Sequence, residues 1–179
     1  MARIDAKEAS ARAMAEYDSN RDGYLDVTEL ERCPGLKSVL APFDRDKDGR
    51  LSQAEIEEGL TSIQDGQVVL AEVTCKVTLD GKPLAGASVV VEPESFLQSY
   101  IKPAKGTTNE QGRASMQIDG AARPGCHIGL YRVRISKVGD EGRDIVPARY
   151  NSQTILGLGA GSRVGPRGSG VYSFSLTAP

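Results

Sequence analysis

Two stretches of twelve residues, starting at Asp18 and Asp44, set oxygen-bearing residues at regular intervals around a glycine. In the first, Asp18, Asn20, Asp22, Asp26 and Glu29 occupy positions 1, 3, 5, 9 and 12, with Gly23 at position 6. In the second, the same places fall to Asp44, Asp46, Asp48, Ser52 and Glu55, with Gly49 at the bend. Position 7, Tyr24 or Arg50, contributes its main-chain carbonyl, so its side chain is free to vary. Calcium takes six to eight oxygen ligands, and a loop of this length supplies them from these positions, the glycine making the sharp turn. Acidic turns or helix-capping aspartates without metal are the plain alternative. Chance rarely fills six positions and the glycine twice, so that alternative is set aside.

Each loop gathers four carboxylates, from Asp18, Asp22, Asp26 and Glu29 and from Asp44, Asp46, Asp48 and Glu55. Two like charges about 4 Å apart repel by roughly 4 kcal/mol at an effective dielectric near 20, before screening, so metal-free loops should be loose. Leu25 and Leu51 stand at the eighth position of each loop, where an apolar side chain can anchor a short β-bridge between paired loops. Only Leu30 to Phe43 separates the loops, and it must hold both an exiting and an entering helix. Helices so short offer little surface for the partner-binding groove of calcium sensors, which favours a structural role for the ion. The pair resembles the EF-hand family across residues 10 to 60, and its compact spacing is similar to pairs in exported bacterial proteins. That resemblance implies two Ca2+ ions.

Helix propensity without a breaker predicts an entering helix over Asp5 to Tyr17. Further helices are expected over Leu36 to Phe43 and Ser52 to Leu60. After Asp65 and Gly66 the pattern turns from helical to alternating, dividing the chain into residues 1–66 and 67–179. Val73, Cys75, Val77 and Leu79 share one face of a strand, and Asp80-Gly81 reads as a hairpin turn. More strands are expected at Ala87 to Glu92, Gly112 to Ile118, Leu130 to Lys137 and Val171 to Thr177. The fold class is therefore α+β, with an N-terminal helical pair and a C-terminal antiparallel β-sandwich.

The run from Val73 to Glu94, the turn at Asn109 to Gly112, the strand Gly129 to Lys137, Pro147 to Asn151 and the closing Tyr172 to Leu176 together resemble the carboxypeptidase-regulatory-like, transthyretin-like (prealbumin-like) sandwich. The resemblance implies a non-catalytic accessory domain used for folding, adhesion or contact with a protein or glycan at the cell surface. Cys75 stands where that family often has glycine, so its side chain needs room or a partner. Cys126 is the candidate partner, and two buried reduced thiols are the equal alternative. Cys33, in the helical part, is expected to stay unpaired.

Charge supports two unlike units: residues 1–66 hold 15 Asp and Glu against 9 Lys and Arg, and the remainder 9 against 13. The basic residues of the second part are dispersed, which argues against nucleic acid. No apolar run reaches a membrane-spanning length, and Met1 to Ala6 lacks the apolar segment of an export signal, as a mature exported domain would. The expected setting is extracytoplasmic (periplasmic, cell-surface or secreted), with a cytoplasmic one kept open. Gly157, Gly159 and Gly161 fail the phosphate-loop spacing and read as a flexible connection. His127, the sole histidine, has no partner spacing for metal or thiol catalysis. Phe96, Leu97, Tyr100 and Ile101 are expected to pack over the sandwich edge, and Arg132 and Arg134 to form a solvated face. The reading is a calcium-stabilised, non-enzymatic binding or structural module. Its alternatives are a calcium-responsive regulator and a carbohydrate-binding accessory domain.

Overall fold

The protein is described here by a computed structural model covering residues 3–65, 70–161, 164–165 and 170–178. Helix α1 (Ala6–Tyr17) starts where Asp5 turns its carboxylate onto the Glu8 N–H at 2.9 Å, satisfying one of the amides that a helix start leaves open. Strand β1 (Tyr24–Leu25) and helix α2 (Val27–Leu30) follow, then α3 (Pro34–Ser38) and α4 (Leu40–Phe43). The single helix expected over Leu36 to Phe43 is thus broken near Val39. Pro42 explains the break, because its nitrogen cannot donate to the Ser38 carbonyl and its ring crowds that group. Strand β2 (Leu51–Ser52) leads into α5 (Gln53–Ile63). Gly59 is tolerated inside α5 because the Phe43 ring lies where its Cβ would be.

The remaining chain supplies β3 (Thr74–Leu79), β4 (Lys82–Pro83), β5 (Ser88–Pro93), β6 (Ala104–Thr107), β7 (Arg113–Ser115), β8 (Gln117–Ile118), β9 (Gly129–Ser136), β10 (Gly157–Ala160) and β11 (Val171–Leu176). One sheet runs β10-β9-β5-β6-β8, and the other β11-β3-β4 with β7 also on β3. The β3–β4 hairpin turns through Asp80 (φ 49°) and Gly81 (φ 79°), the two positive values of a type I′ turn. The run expected as one strand over Gly112 to Ile118 serves both sheets, β7 pairing with β3 and β8 with β6, while the Met116 N–H between them bonds to Val73 O at 2.9 Å.

The pairing is not antiparallel throughout. Strand β11 lies parallel to β3, with Val171 beside Thr74 and Leu176 beside Leu79. A parallel pair needs a long crossover rather than a hairpin, and here the rest of the β-part is that crossover.

Two further expectations are corrected. Gly157 to Ala160 is strand β10, in register with β9 from Gly157 opposite Arg132 to Ala160 opposite Gly129. Its alternate glycines are seats for the helical part. A Cβ on Gly157 would fall on the Pro34 carbonyl, and one on Gly159 would stand 2.6 Å from Val39 Cγ1. Arg132 does not lie on a solvated face either: its guanidinium donates to Glu94 Oε2 at 2.7 Å, and the Glu94 side chain is fully buried. Arg134 pairs more openly with Glu92 at 2.9 Å.

A continuous set of buried apolar residues joins the two parts, from Tyr17, Leu30, Leu36 and Ile63 to Leu97, Tyr131, Val133 and Leu158. The boundary expected at 66 and 67 lies outside the described residues. All three cysteines are buried free thiols, so of the two equal readings for Cys75 and Cys126 the structure has the reduced pair and not the bond. Burial pushes Cys126 up to about 12, and burial with its neighbour Cys126 does the same to Cys75, which keeps both protonated at neutral pH. Among the described residues no helix is long and apolar enough to cross a membrane.

Candidate metal centre

The two loops fold alike although their sequences differ. In each, position 1 accepts from the glycine N–H: Gly23 to Asp18 Oδ2 at 3.1 Å and Gly49 to Asp44 Oδ2 at 2.9 Å. Position 3 accepts from position 5, Asp22 N to Asn20 Oδ1 at 2.9 Å and Asp48 N to Asp46 Oδ1 at 3.1 Å. Position 5 accepts from position 7, Tyr24 N to Asp22 Oδ1 at 2.9 Å and Arg50 N to Asp48 Oδ1 at 2.8 Å. The glycines carry φ of 87° and 83°, values that penalise any other residue. Arg21 and Lys47, at position 4 of each loop, also take positive φ, 60° and 62°.

The residues at position 9 have a second duty. Asp26 caps α2 by accepting from the Thr28 and Glu29 amides, and Ser52 caps α5 by accepting from the Glu55 amide. Glu29 and Glu55 reach back to the amides of Asp26 and Ser52, completing a capping box in both loops. The same carboxylates reach across to the second loop position, with Ser19 N on Glu29 Oε1 at 2.8 Å and Arg45 N on Glu55 Oε1 at 2.9 Å. Each glutamate therefore spans its loop from end to end. The Asp/Ser-x-x-Glu spacing that marks these boxes stands in the sequence, where it is overshadowed by the ligand pattern.

Strands β1 and β2 tie the loops together, Tyr24 opposite Ser52 and Leu25 opposite Leu51, with both leucines fully buried. The expected bridge at the eighth positions is present. Tyr24 and Arg50, the residues at position 7, meet across it, the Arg50 guanidinium 4.2 Å from the centre of the Tyr24 ring. Arg50 also donates to Asp48 Oδ2 at 2.9 Å, a neutralising contact the first loop lacks among the described residues.

Chemically, these residues suit a hard cation. Asp44, Asp46 and Asp48 bring carboxylate oxygens within 4.8 Å of one another. Burial raises the pKa of Glu29 and Glu55, but the amide and hydroxyl donors around them outweigh it. Both carboxyls sit below their ordinary value and are ionised at neutral pH. Among the described residues, Asp18 Oδ1 is the buried side-chain polar atom without a hydrogen-bond partner. Buried polar atoms are nearly always satisfied, and an oxygen at position 1 of a calcium loop is satisfied by the ion. The donor set fits Ca2+.

A two-loop unit with paired twelve-residue cages is an EF-hand arrangement. The EF-hand family matches residues 11–34 and again 36–60, which supports an EF-hand region in this part of the chain and suggests calcium binding. No curated protein matches the chain. Among solved structures, a 9R-lipoxygenase from Cyanothece PCC8801 aligns with 95% of this chain at 12% identity and a TM-score of 0.29, and the chain spans 24% of that protein's length. So low a score carries no argument.

Proposed function

We propose that this chain is a non-catalytic, extracytoplasmic binding or structural module in which two Ca2+ ions brace the helical layer against a transthyretin-like β-sandwich. Asp18, Asn20, Asp22, the Tyr24 carbonyl, Asp26 and Glu29 hold one ion. Asp44, Asp46, Asp48, the Arg50 carbonyl, Ser52 and Glu55 hold the other. The observation that carries the reading is the repetition of one hydrogen-bond framework in two loops of different sequence, with Asp18 Oδ1 left over for a cation. The shared core favours bracing over the sensor role, because α3 packs on β9 and β10 and the buried apolar residues of the helical part are continuous with those of the sheet. His127 Nδ1 accepts from the Lys102 amide at 3.1 Å, and burial together with Lys102 lowers its pKa.

Terbium tests the first loop directly. Tyr24 excitation should sensitise bound terbium, calcium should compete the signal away, and Tyr24→Phe should abolish it without abolishing metal binding. Absent luminescence in the unaltered chain contradicts an ion in that loop.

A further inference from the structure

The connection from Glu94 to Ile101, between β5 and β6, holds the helical part on both sides of the first loop. On one side it runs along α1. Ser95 Oγ donates to Glu16 Oε2 at 2.6 Å and lies 2.9 Å from the Tyr17 hydroxyl, Arg12 donates to Ser99 Oγ at 3.3 Å, and the Tyr100 hydroxyl donates to Glu8 Oε2 at 2.5 Å. Glu8, Arg12 and Glu16 are spaced four residues apart, the repeat of one helix face, and they meet the connection in reverse order along its length. The Phe96 ring packs edge-on against Tyr17 at 6.5 Å between centroids, and Leu97 and Ile101 are buried. On the other side, Glu94 Oε1 accepts from the Gly35 amide of α3 at 2.7 Å while Oε2 holds Arg132 of β9.

Between these two grips lie Asp18 to Glu29, the first loop, and the single turn of α2. One short connection can reach α1 and α3 together only if the loop holds them at a fixed relation. We propose that Glu94–Ile101 is an intramolecular docking segment that couples closure of the first calcium loop to the five-stranded sheet, so that loop occupancy and sheet contact strengthen one another. The proposal rests on the calcium reading above and names the partner of the EF-hand unit as this chain's own segment. Sensor EF-hands open to expose an apolar groove; here Phe96 packs on Tyr17 of α1, and Leu97 and Ile101 are buried in the same core, within one chain.

Coupling of this kind is reciprocal: whatever calcium adds to the docking, the docking adds to calcium affinity. The amides of Glu94, Leu97, Gln98, Tyr100 and Ile101 are all hydrogen-bonded to main-chain carbonyls, so their exchange with solvent reports the state of the segment. Hydrogen exchange on the whole chain, metal-stripped and then calcium-loaded, should show calcium slowing exchange over residues 94–101 about tenfold, together with both loops. Glu94→Gln should shrink that gain and weaken calcium binding about fivefold. Tyr100→Phe, which removes one hydroxyl at the surface and spares the fold, should move both in the same direction by less. Calcium heat with protection confined to residues 10–60, and variants that bind as the parent does, would overturn the coupling while leaving the calcium reading intact. No calcium binding in any form overturns both.

Discussion

In millimolar calcium the chain should melt roughly 10–20 °C above its metal-stripped form, and replacing both bidentate residues, Glu29→Gln with Glu55→Gln, should erase nearly all of that gain. A site with a dissociation constant of about 10⁻⁵ M, at one hundredfold excess of free ion, stabilises the folded chain by about 2.7 kcal/mol. Two such sites double it. The expected size reflects where the loops sit. Each glutamate closes its loop by gripping the amide at the second position and the amide that opens the following helix, so an ion held there fixes the helices that the loops join, α1 to α2 and α4 to α5. Glutamine keeps the shape and loses the charge that a hard cation needs. Thermal unfolding with and without a chelator checks this, the double variant showing a calcium response of no more than a few degrees.

Gly157→Ala should destabilise the protein by about 2–3 kcal/mol, lowering the melting temperature by roughly 4–12 °C. The added methyl would meet the Pro34 carbonyl and the Gly35 nitrogen, which are main-chain atoms of α3 and cannot swing aside as a side chain does. Either α3 lifts from β10, which breaks the Gly35 bond to Glu94, or the edge strand shifts in its pairing with β9. Both routes strain the seat that joins the helical part to the sheet. Ser175→Val, at an exposed position of β11, is the control and should stay within about 0.5 kcal/mol. Urea unfolding of the two variants beside the parent measures the difference.

The loops were legible in the sequence because calcium chemistry is local: twelve residues hold every ligand, and the glycine is required at one place. The entering helix and the Asp80-Gly81 hairpin were legible for the same reason, each being decided within a few residues. Alternation found strands β3, β5, β9 and β11. It missed β10, because Gly-Leu-Gly-Ala has the composition of a linker, and its strand form is imposed by β9 on one edge and α3 on one face. Arg132 was misread because alternation places it outward, while the carboxylate that claims it is 38 residues away in sequence. Phe96, Leu97, Tyr100 and Ile101 read as packing over the sandwich edge, whereas the segment's Phe96 and Ser95 meet Tyr17 of α1, about eighty residues earlier, and no local signal joins them. The break between α3 and α4 could have been read, since Pro42 is an ordinary helix breaker. The parallel pairing of β3 with β11 could not, because it joins the first and last strands of the β-part.

Isothermal titration of calcium into the metal-stripped chain tests the central claim most directly. Two ions per chain should bind with measurable heat, falling to one when either Glu29 or Glu55 alone is changed to glutamine. A flat titration of the unaltered protein would contradict it.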